Sequence, residues 1–198
     1  LDIGAPIPTI NAAVESRIIS SLKSQRVAAS KIIKGPRSIF RGNREKVINA
    51  AKDALFASKV TSYAQGLGLL QIASEEYNYN LRIGDIARIW RAGCIIRAEL
   101  LSDISAAYEK APKLLNLLLD DSFRKEVESR QANWRFMVKT AVGLGIPMWA
   151  TSSSLASFDA SRTARLPANL TQAQRDYFGA HTYRRIDKDG TFHTEWTK

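Results

Sequence analysis

The residues best equipped for chemistry lie together near the end of the chain, where Leu166 to Tyr183 reads L-P-A-N-L-T-Q-A-Q-R-D-Y-F-G-A-H-T-Y. The sequence has two histidines, His181 and His193, and both fall in its last eighteen residues beside Arg184, Arg185 and Trp196, with Arg175 and Tyr177 just before them. Pro167 suits the first turn of a helix running from about Ala168 to Phe178, because its missing N–H has no intrahelical partner there. Gly179 then reads as the left-handed residue that ends the helix. Arg175 falls in the last turn, where a cation complements the helix dipole, and His181 follows just past the stop. A guanidinium presents a planar fork that matches phosphate or carboxylate, and an imidazole adds a donor whose charge changes near neutral pH. The pair suits a phosphorylated small molecule. Residue types alone leave a second reading open, in which Arg175 caps carbonyls and His181 packs beneath the segment that follows.

Positioning these groups takes a scaffold, and the composition allows one. The chain has 198 residues, 45% of them hydrophobic, enough for one sizeable domain or two small ones. Its single cysteine, Cys94, rules out an internal disulfide and a cysteine metal cluster. No apolar run approaches the roughly 20 residues that span a bilayer, so no membrane segment is expected. The opening L-D-I-G-A-P lacks the pattern of a secretory signal, which fits a cytoplasmic protein. Starting without methionine, the sequence reads as part of a longer or processed chain. The formal charge of +10 invites a nucleic-acid reading, but Lys and Arg are scattered rather than gathered in a stripe, and no nucleic-acid-binding motif appears. Such charge also draws small phosphorylated or dinucleotide ligands.

Taken in order, the chain reads as all-α, with a long central helix and a tail ending in a small hairpin. Leu1 to Pro8 is a connector, and Thr9 caps a helix from Ile10 to Ser24 whose buried stripe is Ile10, Val14, Ile18 and Leu22. Arg17 adjoins that stripe among Ala13, Val14, Ser20 and Ser21, and it either reaches across a pocket or lies along the surface. A second helical piece covers Gln25 to Ile33 before K-G-P. Asn43 caps the longest pattern, Arg44 to about Glu76, with apolar positions Val47, Ile48, Ala51, Leu55, Val60, Ala64, Leu67 and Leu70. Gly66 and Gly68 within it mark a kink or a close crossing. Further helices are expected over Ile83 to Trp90, Cys94 to Lys110, Ser122 to about Val142 behind Asp120-Asp121, and Ala150 to Arg165. Thr182 to Ile186 and Thr191 to Trp196 flank D-K-D-G as a hairpin too small to stand unsupported. This gives a helical domain over 1–165 and a docking tail over 166–198.

Five stretches together resemble the C-terminal part of the 6-phosphogluconate dehydrogenase family, bacterial type. They are E-S-R at Glu15 to Arg17, R-V-A-A-S-K-I-I-K-G-P at Arg26 to Pro36, S-Y-A-Q-G at Ser62 to Gly66, I-W-R-A-G-C-I-I-R at Ile89 to Arg97, and the run Leu166 to Tyr183; F-H-T-E-W at Phe192 to Trp196 adds a sixth. The resemblance covers the whole chain. It implies a mostly helical domain that follows an N-terminal nucleotide-binding domain, in a homodimer with tail exchange. It further implies that Arg17 and Arg175 hold the phosphate of 6-phosphogluconate, with Arg175 and His181 reaching the site of the other subunit. The implied reaction is NADP-dependent oxidative decarboxylation to ribulose 5-phosphate and CO2, without a metal.

The family's glycine-rich dinucleotide fingerprint, Ser-Gly-Gly segment, catalytic lysine, histidine-asparagine pair and glutamate, and Lys-Gly-Thr-Gly-Lys-Trp motif are all missing from residues 1–198. No catalytic residue is therefore expected in this chain, which alone is expected to be inactive, and NADP would be bound mainly elsewhere, although Arg184 and Arg185 can add contacts. His193 and Glu195 in F-H-T-E read as packing and hydrogen-bonding groups rather than metal ligands. The competing readings are a stand-alone helical oligomerisation or phospholigand-binding module without catalysis and, last, a basic nucleic-acid binder.

Overall fold

The structure is a computed structural model that describes residues 2–196. Leu1, the first residue of the expected connector, and Thr197 and Lys198, the end of the expected tail, lie outside the described residues. The described chain is helical, with eight α-helices: α1 Pro8–Ser21, α2 Lys23–Ile32, α3 Arg44–Glu76, α4 Ile83–Ile89, α5 Leu100–Lys110, α6 Asp121–Gly143, α7 Trp149–Ser161 and α8 Asn169–Gly179, plus a 3-10 turn at Leu117–Leu119. Two compact units divide at Phe158, the first over Leu1–Phe158 and the second over Asp159–Lys198.

The first unit is built on α3. Asn43 caps it as expected, its side chain accepting the Lys46 N–H at 2.9 Å, and Glu45 complements the dipole in the first turn. Thirty-three residues give a rod of about 50 Å. The side it buries differs from the larger apolar residues in the pattern. Ala50, Ala54, Ala57, Val60, Ala64 and Leu67 are buried, whereas Ile48 and Leu55 are exposed. The small residues let α6 pack alongside at short range, and α6 contributes Phe123, Val127 and Trp134 to the common core. Trp134 is fully buried, donates its indole N–H to the Thr151 carbonyl at 3.2 Å and stands 5.7 Å from the Phe158 ring. Asp53 accepts from Asn133 at 2.7 Å and meets Arg130 at 3.5 Å, while the Arg130 guanidinium lies 4.4 Å over the Phe56 ring. Asp120 starts α6 by accepting the N–H groups of Ser122 and Phe123. Gly145, at φ 67, lets the chain turn away beneath Pro36, where an added Cβ would come within 2.8 Å of the proline ring.

The N-terminal part departs most from expectation. The helix begins at Pro8, so Thr9 is not its cap but lies buried inside the first turn. The expected single helix to Ser24 breaks at Leu22, where ψ turns to 48, and α2 resumes at Lys23. Val14, Ile18 and Leu22 are 54%, 56% and 47% exposed, so of the expected buried stripe only Ile10, half-buried against α3 at Gly66, faces inward. The reason is a lack of partners: α1 packs on α3, and α2 buries no residue. Residues 91–99 are irregular rather than helical, α5 starting only at Leu100, with the Ile96 carbonyl accepting from the Tyr63 hydroxyl. Gly66 marks a crossing, since a Cβ there would touch Ile10 at 3.8 Å, and Gly68 meets nothing. α7 ends at Ser161, short of Arg165.

Candidate functional site

The second unit holds Arg175 and His181. Its helix α8 starts at Asn169, with Ala168 in the N-cap position and no side-chain cap, so Pro167 lies outside the first turn where it was expected. Gly179 is the last helical residue, and the left-handed position belongs to Ala180 at φ 50, whose N–H bonds to the Asp176 carbonyl at 2.9 Å. Gly179 serves close approach instead: a Cβ there would lie 3.4 Å from His181 Nε2, so the imidazole rests against the bare backbone. No basic residue occupies the last turn of α8, which places Arg175 just above it. Arg175 and His181 are both exposed at the C-terminal end of this helix.

Beyond the helix the expected hairpin is reduced to one antiparallel bridge. Tyr183 and Phe192 exchange backbone hydrogen bonds of 2.8 and 2.9 Å, and their rings lie 6.2 Å apart. The Tyr183 and Thr194 hydroxyls share a 2.7 Å hydrogen bond. Gly190 takes the positive φ expected in the turn. Further ladder pairing is replaced by side-chain bonds to one residue.

That residue is Asp176, which sequence reasoning passed over. It is 0% exposed and both its oxygens are engaged. Oδ1 accepts the Thr182 N–H at 3.0 Å and faces His193 Nδ1 at 2.9 Å. Oδ2 accepts the Thr194 N–H and the Trp196 indole N–H, each at 3.0 Å. Burial pushes this carboxyl's pKa up, but the bonds from His193, Thr194 and Trp196 outweigh it and hold the value down at about 2. No local pattern in the sequence singles it out: it stands between Arg175 and Tyr177 on a helix, and its partners lie six to twenty residues further along the chain. His193 from F-H-T-E therefore faces Asp176, and among the described residues no cluster of three or more His, Cys, Asp or Glu has the form of a metal site.

Around this knot the unit is cationic and aromatic. Arg185 is paired with Asp187, which holds that carboxyl at about 2 through the guanidinium hydrogen bond first. A cleft of about 440 Å³ is lined by Arg165, Asn169, Gln172, Arg184, Thr194 and Trp196 among others. Tyr177 stands edge-on to Trp196 at 6.3 Å and to Phe178 at 5.5 Å.

Arg17 belongs to the first unit. It is exposed on α1, and its Nη1 donates to Ser20 Oγ at 2.9 Å. That unit also has an apolar cleft of about 580 Å³, lined by Ile10, Tyr63, Leu70, Trp90 and Ile96 with Lys59 and Arg97 among the remaining residues.

A helical domain with such a tail defines a class, and comparison with known proteins identifies it. The family model for the 6-phosphogluconate dehydrogenase C-terminal domain matches residues 1–196. The chain belongs to the 6-phosphogluconate dehydrogenase family. It is 54% identical over 197 residues to 6-phosphogluconate dehydrogenase, decarboxylating, of Synechococcus elongatus, covering 99% of this chain and 42% of that protein. It is 53% identical over 199 residues to the NADP(+)-dependent, decarboxylating 6-phosphogluconate dehydrogenase of Bacillus subtilis, covering 100% of this chain and 42% of that protein. The fold superimposes with a TM-score of 0.90 on Plasmodium falciparum 6-phosphogluconate dehydrogenase, a structure described in apo form, with its cofactor NADP+ and with its substrate 6-phosphogluconate. Identity there is 45%, over 98% of this chain and 42% of that one. The chain thus spans about two fifths of the length of these relatives. Among the described residues no helix is long and apolar enough to cross a membrane.

Proposed function

We propose that residues 1–198 form the substrate-binding and dimerising portion of a cytoplasmic, NADP-dependent 6-phosphogluconate dehydrogenase, which converts 6-phospho-D-gluconate to ribulose 5-phosphate and CO2. Arg17, Arg175 and His181 hold the substrate phosphate, the last two in the active site of the partner subunit. The observation that carries this reading is the match of 54% identity across 99% of the chain to a named decarboxylating dehydrogenase. The site chemistry agrees with it. Arg175 and His181 are exposed at one helix end, and a guanidinium with an imidazole offers the donors a phosphate dianion needs.

The role of these residues is binding and orientation. Interactions with a phosphate remote from the reacting carbons supply energy that holds the sugar acid against the nicotinamide. NADP is the cofactor by relation to the Bacillus subtilis and Plasmodium falciparum proteins. Exposed apolar surface supports the dimer with exchanged tails. Leu170, Phe178, Tyr177 and Trp196 of the second unit are 83%, 73%, 56% and 44% exposed, a cost that docking on a partner removes.

The test is kinetic, on the natural protein that contains this chain. NADPH formation on adding 6-phosphogluconate is expected, and Arg175→Ala is expected to raise KM by about 10-fold to 100-fold, as loss of a charged phosphate contact does. A natural protein that forms no NADPH would overturn the activity. A normal KM in the Arg175→Ala enzyme would overturn the phosphate site.

A further inference from the structure

A carboxylate is an unexpected neighbour for a phosphate-binding arginine. Asp176 follows Arg175 directly, yet it is fully buried, and four partners occupy its two oxygens. Its charge is thereby turned inward, away from any ligand of Arg175.

The backbone shows what such a group does at this place. Thr182 sits at φ 62, a left-handed conformation that a β-branched residue rarely adopts, and Ala180 two residues earlier sits at φ 50. Such residues are strained and persist only where their surroundings over-determine them. Here the Thr182 N–H is fixed by Asp176 Oδ1, the Thr182 carbonyl accepts from Gln172, and the Ala180 N–H bonds to the Asp176 carbonyl. His181 lies between the two strained residues. One residue therefore fixes both ends of the turn that carries His181, from a position adjacent in the chain to Arg175. The same carboxylate reaches forward to Thr194 and Trp196, so the far end of the chain braces the turn.

We propose that Asp176 is a positioning residue for the substrate phosphate: its buried carboxylate locks the strained turn Ala180–Thr182 and so presents His181 and Arg175 as one preformed phosphate grip. This rests on the phosphate reading of Arg175 and His181. The pair does not assemble on binding; it is held ready by a knot of hydrogen bonds that the ligand never touches. Asparagine cannot take over this role, because its NH2 group would face either the Thr182 N–H or the N–H groups of Thr194 and Trp196, all of them donors.

The experiment uses the full-length enzyme with NADP saturating and compares KM for 6-phosphogluconate with the competitive Ki of gluconate, which lacks the phosphate. Asp176→Asn is expected to raise KM by about 10-fold to 100-fold, the cost of a misplacement on the order of 1 Å, while the gluconate Ki stays within about two-fold. In an enzyme already carrying Arg175→Ala and His181→Ala, the same change should cost less than about three-fold, since positioning has nothing left to position. Trp196→Phe removes one donor and keeps the packing, so it tests the idea in a folded protein even if Asp176→Asn unfolds the tail. It should raise KM about three-fold to ten-fold, again sparing gluconate. Equal losses for 6-phosphogluconate and gluconate would reduce Asp176 to general stability and overturn the proposal. So would unchanged KM in both variants while Arg175→Ala raises it. Unchanged KM in Arg175→Ala itself would remove the phosphate reading first, and the proposal with it.

Discussion

Thr9 and Gln65 hold each other by two hydrogen bonds across 56 residues of sequence. The Thr9 N–H donates to Gln65 Oε1 at 2.9 Å, and Gln65 Nε2 donates to Thr9 Oγ1 at 2.9 Å and to Ser157 Oγ at 3.0 Å. An N–H in the first turn of α1 has no intrahelical acceptor, and with no capping side chain at Ile7 the long helix α3 supplies one instead. The orientation of α1, and with it Arg17, depends on this contact.

Gln65→Leu should therefore destabilise the protein by about 1–3 kcal/mol, the cost of stranding a buried donor. Denaturant unfolding reads that loss directly. If Arg17 binds phosphate, KM for 6-phosphogluconate should rise as well, with kcat little changed. Full stability in the Gln65→Leu variant would show that Thr9 finds another acceptor.

The left-handed Ala180 makes an opposite prediction. Its Cβ costs about 1–2 kcal/mol at φ 50, whereas glycine takes that conformation freely and loses roughly 0.5–1 kcal/mol through its looser unfolded chain. Ala180→Gly should thus leave the tail as stable or up to about 1 kcal/mol more stable, with KM unchanged, because the Ala180 N–H to Asp176 carbonyl bond remains. Hydrogen exchange of the Ala180 to Thr182 amides is the measurement. Faster exchange in the Ala180→Gly variant would mean that the alanine methyl itself orders the turn.

Much of this was legible in the sequence, and the misses have physical causes. Helix α3 with its Asn43 cap and the start of α6 at Asp120 follow from local periodicity and capping chemistry, and a helix carrying Arg175 and ending before His181 is legible too, although its ends are not set by Pro167 and Gly179 as expected. Helical spacing does not say which face meets a neighbour. Ala50, Ala54 and Ala57 are buried in place of Ile48 and Leu55 because close helix packing selects small residues, and most of the α1 stripe is exposed because nothing in its unit covers it. Asp176 is not legible in the sequence for a different reason. Its four partners lie six to twenty residues away, a distance at which no periodic pattern operates.

Acid should undo the knot around Asp176 in a defined window. The folded carboxyl is held at about 2, below the ordinary unfolded value of about 3.9, so the folded state binds the proton later than the unfolded chain does. Stability from this group is fully present above about pH 4 and is lost as pH falls through the range from about 4 to about 2. Asp176→Asn has no proton to bind there. Denaturant midpoints for the natural protein and for its Asp176→Asn variant should therefore differ most at about pH 5 to 7, where the carboxylate keeps its donors, and should converge as the pH drops below about 4. Among the described residues His193 is the one titratable side chain bonded to this carboxylate, and His193→Gln should preserve the convergence while narrowing the gap above it. A gap that stays constant down to about pH 2 would show that the difference comes from packing rather than from the ionised carboxylate.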